Sequence, residues 1–165
     1  QELVSFSSVE QQINTSSSLT SLIQLTQAGQ VIQGATLTGK QVSIKSDQIP
    51  LQGGSGAVQF TVPTAEPVAV AIADSNGKLV RTATLNAQAG ANTWNWDGTS
   101  DAGAKLADGA YRIAVDSVGS GGAATPVPFT VTGTVTGTQS SSGNGMQLQL
   151  GTLNVGFDTV QSLKN

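Results

Sequence analysis

The residues with most chemistry to offer lie between Asn92 and Tyr111. Both tryptophans, the single tyrosine and the acids Asp97, Asp101 and Asp108 crowd together there, with Asp116 just beyond. Asp97, Thr99, Asp101 and Asp108 fall at offsets 1, 3, 5 and 12, the spacing at which an EF-hand loop presents oxygen ligands to calcium. The pattern departs where that chemistry is most demanding. Offset 6 is Ala102 rather than the glycine of the sharp turn, and offset 12 is Asp rather than a bidentate Glu. The preceding Trp94-Asn95-Trp96 reads as strand, not helix. Asp97-Gly98 and Asp108-Gly109 are turn dipeptides, because Gly accepts positive φ and Asp bonds neighbouring backbone. These aspartates are therefore expected to stabilise turns, and no metal site is assigned.

Trp94 and Trp96 share one face of a strand. Such a pair could stack on a sugar, but a chain with only seven aromatics needs its largest side chains inside a core. Tyr111, following Leu106 and Gly109, fits a tyrosine-corner role with its hydroxyl bonded to nearby backbone. Catalysis has little to work with. Without His or Cys, the commonest general base and the thiolate nucleophile are both missing. A Ser nucleophile would need Lys as its base, and Ser43 and Ser46 beside Lys45 are ordinary neighbours in a Ser-rich chain. The Gly clusters sit at β-turns rather than at the start of a helix that could cradle phosphate. No catalytic residue and no cofactor is assigned.

The elements that must position these residues are mainly β. The chain has 165 residues, 38% of them hydrophobic, only 10% charged, with net charge −3. Residues 11–39 and 117–157 contain no Asp, Glu, Lys or Arg. Seven scattered Lys and Arg make no basic face for nucleic acid or for an anionic membrane. No apolar run of about 18 residues is present to span a bilayer. The absence of Cys excludes disulfides, and no Sec-type signal opens the chain. Lacking an initiator Met and already helical in pattern, the start is expected to follow a missing N-terminal segment.

Residues 1–28 are the helical candidate. Leu3, Phe6, Val9 and Ile13 recur at spacings of three and four, a stripe that either packs on its own domain or serves self-association. From Val31 to Ile44 the pattern turns to period two and predicts two short strands, with a turn near Leu37 to Lys40. Pro50 to Gly56 punctuates the chain. Alternation then predicts strands at Gly56–Val62, Val68–Ile72, Leu79–Leu85, Asn92–Trp96, Ala110–Val118 and Val127–Val131. Asp74-Ser75-Asn76-Gly77-Lys78 makes a hairpin turn between two of them. Strands are also expected within Thr132–Thr138, Met146–Leu150 and Leu153–Val155, with a short terminal turn from Phe157 to Leu163. This pattern predicts an immunoglobulin/fibronectin-III-like sandwich over residues 55–131. The flanking pieces, 29–54 and 132–165, would form one small discontinuous β-barrel into which the sandwich is inserted.

Trp96-Asp97-Gly98, Asp101, Gly103, Leu106, Gly109 and Tyr111, together with Trp94, resemble the immunoglobulin-like segment of flagellar hook-assembly proteins, the FlgD hook-cap family. Phe6-Ser7-Ser8-Val9-Glu10-Gln11 is similar to a core at the end of that family's N-terminal segment. The resemblance implies a Tudor-like barrel interrupted by the sandwich, and a non-enzymatic scaffold exported through the flagellar type III apparatus. It implies an extracellular place at the distal end of the growing hook and promotion of hook-subunit polymerisation. It also implies contacts with hook subunits and with the rod or hook tip, and a homo-oligomer. An extracellular carbohydrate- or calcium-binding sandwich module is the alternative. That reading needs an exposed Trp94–Trp96 face or converging Asp97, Asp101 and Asp108.

Overall fold

The computed structural model describes Ser18, residues 35–119 and residues 121–164. The helical stripe of Leu3, Phe6, Val9 and Ile13 lies outside the described residues. The first strands are β1 (Gln41–Ile44), β2 (Gln48–Leu51), β3 (Gly56–Val62), β4 (Glu66–Ala73) and β5 (Leu79–Ala87). Next come β6 (Gly90–Trp96), β7 (Gly109–Val118), β8 (Ala124–Pro126) and β9 (Phe129–Thr134). The chain continues with β10 (Gly137–Ser141), β11 (Gly145–Leu150) and β12 (Leu153–Gly156). A 3-10 turn at Phe157–Thr159 leads into β13 (Val160–Lys164).

The fold is mainly β, with antiparallel pairing throughout these strands. The first sheet runs β13-β1-β9-β3-β6, the second runs β2-β7-β4-β5 with β8 also on β7, and the third runs β10-β11-β12. Strict alternation fixes the inward faces. Val58, Phe60 and Val62 of β3, Trp96 of β6, and Val68, Val70 and Ile72 of β4 are all buried. Leu148, Leu150, Leu153 and Val155 of the third sheet belong to the same core cluster. Each such side chain contributes about 1.5–3 kcal/mol when fully buried. With few aromatics, the core depends on many aliphatic residues rather than on a few large ones.

The hairpin at Asp74 forms as its residues dictate. Gly77 takes φ +81°, and the Asp74 carboxylate accepts the backbone N–H groups of Asn76 and Lys78. Three sequence expectations change. Of the two strands expected in Val31–Ile44, the described residues contain only β1, and Ala35–Leu37 are helical before a turn at Thr38 and Gly39. Pro50 does not end a segment; it lies inside β2, which the second sheet accommodates because β2 is an edge strand. The turn expected from Phe157 to Leu163 stops at Thr159, and β13 pairs with β1. Strand β9 runs through the position where two separate strands were expected to meet, at Val131 and Thr132.

Candidate functional site

The loop from Asp97 to Asp108 joins β6 of the first sheet to β7 of the second. Asn92, Trp94 and Trp96 point inward along β6, while Thr93 and Asn95 face solvent. Trp96 is fully buried and Trp94 is half-buried against the core, so the tryptophan pair presents no open stacking platform. The Trp96 indole N–H donates to the Thr99 carbonyl at 2.9 Å. Tyr111, on β7, donates its hydroxyl to the Ala107 carbonyl. Leu106 packs on the core and donates its backbone N–H to Gly98 at 2.8 Å. Gly103 takes φ +82° in the tight turn closed by its N–H to the Ser100 carbonyl.

The three loop carboxylates serve three different segments. Asp97 accepts the hydroxyl of Thr99 at 2.6 Å and its N–H at 3.1 Å, a local turn. Asp101 instead reaches β5, accepting the Thr82 backbone N–H at 3.0 Å and hydroxyl at 2.9 Å. Asp108 reaches the turn between β2 and β3, accepting the N–H groups of Gly53 at 2.7 Å and Gly54 at 2.9 Å. Thus Asp97 stabilises its own turn, as expected, whereas Asp101 and Asp108 fasten the loop to strands distant in sequence. The Thr99 hydroxyl is the main reason the Asp97 carboxyl titrates below its usual range. The Thr82 N–H is the main reason for the same shift at Asp101. Among the described residues no three His, Cys, Asp or Glu gather in a metal-binding group.

Gly98 is buried with φ +70°, and a Cβ there would sit 2.7 Å from the Gly54 carbonyl oxygen. Gly109 pairs with Leu51 across β7 and β2. The loop is therefore a clasp between the sheets, built from backbone contacts that only glycine and aspartate permit. Sequence reasoning overlooked one spacing, Ser75-Asn76-Gly77-Lys78, which has the Ser-x-x-Lys form. It sits at an exposed hairpin tip, where nothing desolvates the lysine. The largest apolar cleft, about 750 Å³, lies elsewhere, between Pro126–Phe129 and Asn154–Gly156. Its charged neighbours are Lys45 and Asp47.

The model of the FlgD Ig-like domain family matches residues 46–121, a span holding the whole Trp94–Tyr111 signature. The chain is also 32% identical over 129 residues to the basal-body rod modification protein FlgD of Escherichia coli strain K12. The chain belongs to the FlgD family. The alignment covers 72% of this chain and 56% of the E. coli FlgD, so the chain spans about half the length of that curated relative. A crystal structure of Xanthomonas campestris FlgD, described as giving insights into the hook capping essential for flagellar assembly, is similar with a TM-score of 0.68. It is 28% identical, with 82% of this chain and 99% of that chain covered. The FlgD of P. aeruginosa shares the fold, at TM-score 0.63 and 20% identity over 78% of this chain and 98% of that one.

Proposed function

We propose that this FlgD-family chain is a non-enzymatic scaffold of bacterial flagellar hook assembly. In this reading it is exported through the flagellar type III apparatus and acts outside the cell at the distal end of the growing hook. There it promotes polymerisation of hook subunits, contacts the rod or hook tip, and works as a homo-oligomer. The observation that carries the reading is the 32% identity to E. coli FlgD over 129 residues, supported by the X. campestris likeness over nearly all of that chain. The use of the loop fits a scaffold: its polar groups are spent on holding sheets together. Residues 29–54 and 132–165 are read as a Tudor-like barrel around the sandwich of 55–131. The pairing of β1 with β13 supports this by joining the two segments, while β2 extends the sandwich sheet through β7.

The test is complementation. A flagellated strain lacking its own FlgD should regain hooks and swimming when it expresses the full-length protein containing this chain. Electron microscopy of basal bodies scores the hooks. Export of the protein without hook formation would overturn the reading.

A further inference from the structure

Charge is distributed unequally over the molecule. Arg81, Arg112 and Asp116 lie on strands of the second sheet, and the Asp74–Lys78 and Asp97–Asp108 turns flank it. The first sheet differs. Register places Gln41 and Ser43 of β1 beside Thr134 and Thr132 of β9. The same row continues through Ala57 and Gln59 of β3 to Asn95 and Thr93 of β6. This is the face away from Val58, Phe60 and Trp96. Among its described side chains none is charged; Lys45 stands at the rim, and Lys164 is opposite Gln41 at the end of β13.

Part of this face is concave. Gln41, Gln59, Thr93, Asn95 and Thr132 line a cleft of about 310 Å³ in which amides and hydroxyls dominate. Neighbouring groups at its margin are already paired. Ser43 donates its hydroxyl to Thr130, and the Gln52 amide both donates to and accepts from the Thr134 backbone. The five cleft residues, by contrast, form no side-chain hydrogen bond among the described residues, and each carries both donor and acceptor capacity.

We infer that this uncharged face of the first sheet is a self-association surface that packs against the same face of a second copy. A face of amides and hydroxyls is complementary to itself, because every group can donate to and accept from its counterpart across a two-fold axis. A face carrying net charge repels its own copy. A polar face also remains soluble before assembly, unlike an apolar patch of similar extent. Contacts made without charge are insensitive to salt. The inference rests on the homo-oligomer proposed above and gives it a location.

Sedimentation equilibrium of the intact chain, at about 0.05 M and about 0.5 M salt, tests it. Reversible self-association should appear with a Kd that changes less than about twofold between the two salts. Gln59→Lys with Thr132→Lys, and separately Gln59→Glu with Thr132→Glu, should each weaken association about a hundredfold. Mixing the two variants should restore it, now with salt dependence. Thr84→Lys, on the outer edge of the second sheet, should change nothing. Circular dichroism melts check folding, and Thr93→Lys on edge strand β6 serves if the double variants unfold. A monomer at all concentrations overturns the inference, as does association that survives both double variants or is not restored by mixing. The complementation assay is scored separately, so failure here leaves the hook-assembly reading to stand or fall by itself.

Discussion

The ring of Tyr111 stands at 85° to the indole of Trp96, with centroids 5.3 Å apart. The two residues belong to different sheets, so this edge-on contact ties the sheets together beneath the loop. Their polar ends then hold the loop's shoulders at Thr99 and Ala107. Trp96→Ala should lower the unfolding free energy by about 3–5 kcal/mol, since it empties a fully buried site. Tyr111→Phe keeps the ring and loses one hydrogen bond, a cost of about 1 kcal/mol. Urea denaturation measures both; equal effects would show that the ring contact adds nothing beyond the hydroxyl.

Gly98 and Asp108 act on the same turn from two sides. Gly98→Ala pays for a left-handed φ and for a clash with the Gly54 carbonyl, which Asp108 holds in place through the Gly53 and Gly54 N–H groups. A loss of about 2 kcal/mol or more is expected. Asp108→Ala frees the turn to move. The double variant should therefore be less destabilised than the sum of the singles, with a coupling of about 0.5–3 kcal/mol in a double-mutant cycle. Strict additivity would mean that the turn is fixed by something other than the carboxylate.

The acid limb of stability should depend on Asp97 and Asp101. Both carboxyls titrate below their usual range in the folded chain, through Thr99 and Thr82 respectively. A depressed folded value stabilises above the unfolded value of about 3.9 and loses that contribution as pH falls through the folded values. Melting temperature should thus be flat from neutrality to about pH 5 and decline below about pH 4. Both groups are exposed, and Arg81 at 4.0 Å from Asp101 adds little in solvent, so the decline is shallow. Asp97→Asn with Asp101→Asn should flatten it further; an unchanged acid limb would assign the decline to other carboxylates.

Much of the sandwich was legible because alternation is clean where one face is core. Val58-Phe60-Val62, Val68-Val70-Ile72 and Trp94-Trp96 announce their strands and their inward faces. Strand β13 was hidden by a bulge. Between Ser43 and Ile44 the register shifts, so Val160 pairs with Ile44 and Leu163 with Val42. Apolar residues three apart then lie opposite neighbours two apart, and the period-two signal vanishes. Strand β2 was hidden by Pro50, which reads as a breaker unless the edge position is known. The partners of Asp101 and Asp108 were invisible for another reason: Thr82, Gly53 and Gly54 are brought near only by the pairing of whole sheets. The loop's identity was readable, but its role as a clasp needed the topology.

Gly133 governs how the third sheet seats on the other two. It lies in β9 opposite Val42, and a Cβ there would meet the Leu150 side chain and lie 2.8 Å from Pro50 Cγ. Strands from all three sheets therefore converge on the space left by one missing methyl group. Gly133→Ala should destabilise by about 1–3 kcal/mol through overpacking. Leu150→Ala alone should cost about 2–5 kcal/mol through a cavity. Combining them lets each defect fill the other, so the double variant should recover part of the loss. Hydrogen exchange should show where the strain goes: amides of β10, β11 and β12 lose protection before those of β3 and β4, because only the third sheet can move away without breaking the sandwich. Uniform loss of protection would instead mean that the three sheets unfold as one cooperative unit.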